Sequence, residues 1–279
     1  MENAQLILSR KKLLRNYNYF KSKLPSSTKM AILVKANGYG LGDIEVASLA
    51  QEFGANYLAV AFPNEGVRLK KAGIELPVII LTPGVGNFDT IVEYNLETSI
   101  VNESALEAMT QAVIKAGKSN YPIHIKLDSG MQRVGFGKKE IEHLGLLLKK
   151  NNHLTVKSIF SHLAAADDPK HDQFTMGQID HFQEMAQSLK QHLNNQPMMH
   201  ILNSPGIERF SHAAMDMVRL GIGLYGGSAI DNNLLKPAAS LCATVIDVKE
   251  VGSGSVGYGR HGVVTDSVTK VATVAAGYA

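Results

Sequence analysis

Several side chains able to do chemistry stand at the ends of short apolar runs in this chain. Lys35 closes MAILVK, Asp128 closes IHIKLD with Arg133 just beyond, and His162 closes SIFSH. Asn203 and Ser204 close HILNS, and Arg219 closes MDMVR. Lys35 is the first candidate. Burial disfavours a charged ammonium and lowers its pKa, which frees the lone pair that Schiff-base formation needs. The surroundings suit this, because the run before Lys35 is apolar and Ala36-Asn37-Gly38-Tyr39-Gly40 adds little bulk. A lysine at a strand end also reads as a solvated stem, and spacing alone leaves both readings open. Ser204 followed by Pro205 is a helix start. Its hydroxyl is either a simple cap or, with helix-start amides, a phosphate ligand. Gly221-Ile222-Gly223 would let further backbone N–H groups approach the same anion.

These side chains need elements to carry them. Short apolar runs alternate with amphipathic stretches along most of the chain. Strands are expected at 30–35, 57–60, 77–82, 96–101, 123–128, 156–162, 200–204 and 217–220. Helices are expected at about 9–24, opened by Ser9, and at 44–53, 65–72, 88–94, 103–116, 139–150 and 174–192. This alternation predicts an α/β fold with a parallel sheet. Eight strands over this length predict a (β/α)8 TIM-type barrel, whose chemistry collects at the C-terminal ends of its strands. A doubly wound open sheet is the structural alternative.

After Gly226 the pattern changes to Val, Ala, Thr and Gly, with strand-like runs at 243–250, 262–264 and 269–274. This reads as the start of a β-rich second domain, joined by the N-terminal Gln5–Leu8 run. The expected division is 9–228 for the barrel, with 1–8 and 229–279 as the β-rich domain. The chain stops at Gly277-Tyr278-Ala279, directly after an apolar run, so the second domain is expected to be incomplete.

Composition excludes several classes. The chain is 45% apolar and 19% charged, with a net charge of +3 spread over scattered basic residues. A nucleic-acid surface would need a concentrated basic stripe, so none is expected. No apolar run is long enough to cross a bilayer. The N-terminus lacks a signal-peptide pattern, which makes the cytoplasm the expected location. Cys242 is the only cysteine, and its apolar neighbours predict a buried, inert thiol. Gly252–Gly257 matches GxGxxG, but no helix follows, so it is not a dinucleotide loop. Asp167, Asp168, His171 and Asp172 lack a ligand spacing and read as a solvated loop.

The segment MAILVKANGYGLG (Met30 to Gly42) resembles the cofactor-attachment segment of alanine racemases. KLDSGMQRVGF, IFSHLAAAD, NSPG, DMVRLGIGLYG, VGYGR and VATVAAGYA follow in the family's order, so the resemblance runs over essentially the whole chain. It implies a pyridoxal-phosphate enzyme that racemises L-alanine to D-alanine for cell-wall synthesis. It also implies a small-molecule amino-acid substrate and a homodimer with shared active sites. Lys35 would carry the cofactor and act as one base. Tyr278, reaching the partner's site, would be the second. Arg219 would face the pyridine nitrogen. Tyr39, Asn203, Ser204, Gly221 and Ile222 would lie at the cofactor, most of them on its phosphate. His162 would pack beside the ring. Arg133 would touch the cofactor's phenolic oxygen or the substrate carboxylate, supported by Lys126. The family's usual Asp-Gly after the tyrosine is absent, and a molecule ending here would be expected to have poor activity.

Other readings remain at this point. A serine or broad-specificity racemase would use the same scaffold. A non-catalytic pyridoxal-phosphate barrel would not need Tyr278. A Schiff-base aldolase would need no phosphate site.

Overall fold

Strand β1 (Ala4–Leu8) and helix α1 (Arg10–Lys21) begin the computed structural model, which describes residues 4–84 and 86–277. The chain divides into two compact units, Arg10–Ala238 and Met1–Ser9 with Ala239–Ala279.

The larger unit contains all eight expected strands. They are β2 (Lys29–Leu33), β3 (Tyr57–Val60), β4 (Val78–Ile80), β5 (Glu97–Ile100), β6 (Tyr121–Lys126), β7 (Leu154–Phe160), β8 (Met198–His200) and β9 (Met217–Leu220). They form one parallel sheet in the order β8-β7-β6-β5-β4-β3-β2-β9. Hydrogen bonds tie its two ends together. The Arg219 amide donates to the Leu202 carbonyl at 3.0 Å, and the Met199 amide donates to the Asp216 carboxylate at 2.7 Å. The result is a (β/α)8 barrel.

The outer helices are α2 (Asp43–Glu52), α3 (Pro63–Lys71), α4 (Phe88–Glu93), α5 (Glu103–Lys115), α6 (Ile141–Lys150) and α7 (Asp172–Lys190). Their sequences explain them. In α5 the Asn102 carboxamide accepts the Ala105 amide at 2.8 Å, and Leu106, Met109 and Val113 fall on one buried stripe. In α3 the helix lies so close to the sheet that a Cβ on Gly66 would come within 2.9 Å of Ile80. Two short helices, α8 (Ser204–Arg209) and α9 (Ile222–Tyr225), follow β8 and β9.

Alternate strand residues fill the barrel in two unlike halves. Ala31, Leu33, Tyr57, Ala59, Ile79 and Met217 form an apolar cluster. Burying each large aliphatic side chain there stabilises the fold by about 1.5–3 kcal/mol. Strands β6 to β9 contribute His124, Lys126, Ser158, His200 and Arg219, all buried. Such groups are tolerated only where hydrogen-bond partners replace water.

Most strand boundaries differ from the sequence expectation: β6 ends at Lys126 and β7 at Phe160, so Asp128 and His162 each lie two residues beyond their strand. Strand β2 ends at Leu33, so Lys35 lies two residues beyond it. HILNS is not all strand: β8 stops at His200, and Ser204 opens α8.

In the smaller unit, β1 pairs antiparallel with β10 (Ala239–Ala243). Strand β11 (Val245–Val251) pairs with β14 (Thr269–Val274), and β12 (Gly254–Val256) pairs with β13 (Gly262–Val264). The GxGxxG stretch therefore runs through a hairpin. Cys242 is exposed rather than buried. Its apolar neighbours belong to a two-stranded ribbon in which every residue of β1 and β10 is exposed or half-buried. Tyr278 lies outside the described residues. Among the described residues, no helix is long and apolar enough to cross a membrane.

Candidate active site

The chain beyond β2 turns the wrong way for an ordinary helix. Ala36, Asn37, Gly38 and Tyr39 all have φ between 51° and 60°, which makes a left-handed turn directly after Lys35. This conformation costs about 1–2 kcal/mol per non-glycine residue, so its surroundings must impose it. Glu65 accepts the Ala36 amide at 2.6 Å, and its other oxygen accepts the Ala61 and Phe62 amides. Arg68 donates to the Asn37 side chain at 2.9 Å and pairs with Asp43. The helix that follows β3 thus holds the turn that aims Lys35.

Lys35 is half-buried and lines a cavity of about 810 Å³ together with Lys126, Arg133, His162 and Arg219. Four of these five were read from the sequence as site residues. The fifth, Lys126, was given only a supporting role. Most other lining residues are apolar or small, among them Leu81, Pro83, Phe88, Val101, Ala105 and Ala108. The cavity is thus a cationic wall facing a space of few polar groups, suited to a small anionic molecule.

The cations impose the site's protonation states. Burial pushes the Lys126 ammonium down to about 7, and the charges of Arg219 and Arg133 add to this. Its amine donates to the Leu127 carbonyl at 3.1 Å and faces the Phe160 ring. Burial, followed by Arg219 and the three lysine and arginine charges nearby, pushes His162 down to about 3. His162 is therefore a neutral imidazole at physiological pH. Arg219 is lowered by burial to about 10 and remains a cation. Its guanidinium donates to the Ser161 and Ile201 carbonyls at 2.6 and 3.1 Å. It also donates to the His162 ring at 3.3 Å and to His200 Nδ1 at 2.6 Å.

Arg133 is exposed on a loop folded around Asp128. That carboxylate accepts the amides of Gly130, Gln132 and Arg133 at 2.9–3.0 Å. Burial raises the Asp128 pKa, but the three amides and Lys126 outweigh it and hold the group below its ordinary value. Asp128 therefore shapes the loop and spends its lone pairs inside it.

A second cluster forms where β9 ends. Asn203, not Ser204, caps α8, accepting the Gly206 amide at 3.0 Å. This frees the Ser204 hydroxyl, which accepts the Gly221 and Gly223 amides at 3.0 and 3.1 Å. A Cβ on Gly221 would lie 2.7 Å from the Tyr39 hydroxyl. Tyr39 packs on Tyr225 with ring centroids 4.7 Å apart, and burial raises its pKa, so its hydroxyl keeps its proton. Hydroxyl groups and helix-start amides converge here in the manner of an anion cradle. Ile222 is exposed at its edge.

The sequence reading gave no role to Glu97, His124, Ser158 or His200. His124, Ser158 and His200 are polar residues beside apolar ones in buried strands, which is the signal that could have flagged them, whereas Glu97 opens a mostly polar strand and carries no such signal.

Comparison with known proteins adds to this geometry. A family model described as alanine racemase, N-terminal domain, matches residues 8–229. The chain is 32% identical to the alanine racemase of Treponema denticola, over 100% of this chain and 75% of that relative. The structure of an alanine racemase from Clostridium difficile 630 matches with a TM-score of 0.89 at 27% identity, covering 98% of this chain and 73% of that one. An alanine racemase from Bartonella henselae with covalently bound pyridoxal phosphate matches with a TM-score of 0.84 at 25% identity, covering 98% of this chain and 75% of that one.

Proposed function

Since this chain belongs to the alanine racemase family, we propose that it interconverts L- and D-alanine with pyridoxal phosphate as its cofactor. The observation that carries this reading is the meeting of three features at one end of the barrel. They are an amine held by a left-handed turn, a buried arginine, and a cradle of Tyr39, Ser204 and Gly221. The cradle suits a phosphate, because the missing Cβ of Gly221 leaves room beside the Tyr39 hydroxyl. When bound, the cofactor would supply an electron sink for the bond broken at the substrate's α-carbon.

The protein would do the rest. Lys35 would hold the cofactor covalently at rest, and its Nζ, freed when the substrate amine takes its place, would take or return the α-proton on one face. Tyr278, supplied by the partner subunit of a homodimer, would serve the opposite face. Two bases on opposite faces invert the centre without turning the substrate over. Arg219 would hold the pyridine ring. As a permanent cation it disfavours a second positive charge beside it. Tyr39, Ser204, Gly221 and Ile222 would hold the phosphate end, with Asn203 beside them fixing the start of α8. His162, being neutral, would pack beside the ring without adding charge. Arg133 would bind the substrate carboxylate. The product would supply D-alanine for the cell wall, in the cytoplasm.

The test is covalent labelling. The chain is incubated with pyridoxal phosphate and reduced with borohydride, and its peptides are weighed. The expected result is one added cofactor mass on Lys35, absent from Lys35→Ala. A folded chain that gains no mass at Lys35 overturns the cofactor assignment. A labelled chain that fails to convert L-alanine but converts another amino acid overturns the substrate assignment.

A further inference from the structure

The polar half of the barrel holds a chain of hydrogen bonds with one direction. Arg219 NH1 lies 2.6 Å from His200 Nδ1, and His200 Nε2 lies 2.8 Å from the Ser158 hydroxyl. That hydroxyl lies 2.6 Å from His124 Nδ1, and His124 Nε2 lies 2.8 Å from a carboxylate oxygen of Glu97. A guanidinium can only donate. His200 Nδ1 must therefore accept, so a neutral His200 carries its proton on Nε2 and donates to Ser158. The serine proton must then point to His124 Nδ1, and the His124 proton sits on Nε2 and points to Glu97. With both imidazoles neutral and Glu97 accepting as a carboxylate, the guanidinium and the acid are joined by three groups, each donating onward. With neutral imidazoles and a carboxylate that only accepts, no other assignment satisfies all four bonds.

The placement explains why the chain is needed. Arg219 is 3% exposed, and its direct partners are carbonyls and imidazoles. Among the described residues, no ion pair joins it to an acid. Glu97 is the first residue of β5, while Arg219 is near the end of β9, so the chain crosses the barrel interior from floor to mouth. The rings are fixed as well as bonded. His200 stacks on Phe160 at 5.1 Å with planes 5° apart, and His124 meets Tyr57 edge-on. Burial and the Arg219 charge push His200 well down, so it is the neutral ring that the assignment requires. The charge of Glu97 also adds to burial in raising Tyr57.

We propose that Glu97 is the remote counter-charge of Arg219, acting through His124, Ser158 and His200, with Ser158 as the positioning residue that holds both imidazoles as Nε2–H tautomers. The opposite tautomer of His200 would set an N–H against the guanidinium and displace it. The consequence for catalysis rests on the reading that Arg219 holds the cofactor ring.

The experiment reads ring-nitrogen resonances by long-range proton–nitrogen NMR on the full chain labelled with 15N-histidine. Both His124 and His200 are expected to be neutral, with the proton on Nε2. Glu97→Gln should displace the His200 resonances in the otherwise native chain and leave them unmoved in a Ser158→Ala background. Ser158→Thr, which keeps the hydroxyl, should restore the displacement. A proton on Nδ1 of either ring overturns the proposal, as does a Glu97→Gln displacement that survives Ser158→Ala. If Ser158→Ala does not fold by circular dichroism, the tautomers of the native chain and the Glu97→Gln displacement decide alone. None of these readings uses cofactor. A native relay in a chain that pyridoxal phosphate does not label would leave this inference standing and remove the proposed function.

Discussion

Replacing Lys126 with methionine should stabilise the protein in a way that depends on pH. The Lys126 ammonium is 6% exposed, and its folded pKa falls from 10.5 to about 7. The folded state therefore resists the proton that the unfolded chain holds. Below the folded value both states are protonated, and the full penalty of burying the charge is present. Between about 7 and 10.5 the unfolded chain binds more protons, so stability rises with pH across that window. At about 1.4 kcal/mol per pH unit, the full penalty is about 5 kcal/mol, falling to about 1 kcal/mol at pH 9.5. Methionine has a similar length, no charge, and a sulfur that can pack on the Phe160 ring which the ammonium now faces. It loses the hydrogen bond to the Leu127 carbonyl, at about 1 kcal/mol at either pH. Lys126→Met should therefore be more stable by about 4 kcal/mol at pH 6 and nearly neutral at pH 9.5. Reversible urea unfolding of both proteins at the two pH values measures this directly. A stability difference that does not change with pH, or a less stable variant at pH 6, would refute the reasoning.

Gly221→Ala should weaken pyridoxal-phosphate binding, because the added methyl lies 2.7 Å from the Tyr39 hydroxyl. Overpacking of about 1–3 kcal/mol corresponds to a loss of about five- to 150-fold, read by fluorescence titration. Adding Tyr39→Phe should recover part of it, and no recovery would locate the clash elsewhere. Asn203→Ala removes the cap of α8 and should cost about 1 kcal/mol in thermal unfolding, with Asn203→Asp close to native. Equal losses in both variants would argue against the cap. Asp128→Asn should flatten the acid limb of the stability curve. The native carboxylate, held below its ordinary value, contributes stability above that value and loses it as pH falls through the folded value. An unchanged acid limb would show that the three loop amides do not hold the charge.

The order of strands and helices was legible because burial periodicity is local. A short apolar run such as those of β2, β3 and β4, or a stripe such as Leu106, Met109 and Val113, announces its own element. Lys35, His162, Ser204 and Arg219 were legible for a related reason, since each polar group ends an apolar run and barrel strands all point the same way. The turn after Lys35 was not legible. Ala36 and Tyr39 disfavour positive φ and Asn37 only tolerates it, and it is Glu65 and Arg68, from a helix beyond the next strand, that impose it. The Cys242 environment was misread because apolar neighbours along a strand do not say whether anything covers the strand's faces.

The relay from Glu97 to Arg219 marks the limit most clearly. Sequence shows that His124, Ser158, His200 and Arg219 are polar residues beside apolar ones in their strands, and so must find partners inside, while Glu97 opens the mostly polar run ETSI. Which partners they find depends on the stagger of five strands around a closed barrel. A one-residue slip in any of those strands would turn its side chain from the interior to the helices. Sequence alone determined the elements and the kinds of group at their ends. Tertiary structure decided which of those groups meet, because hydrogen bonds and charge act over a few ångströms that only the closed sheet brings together.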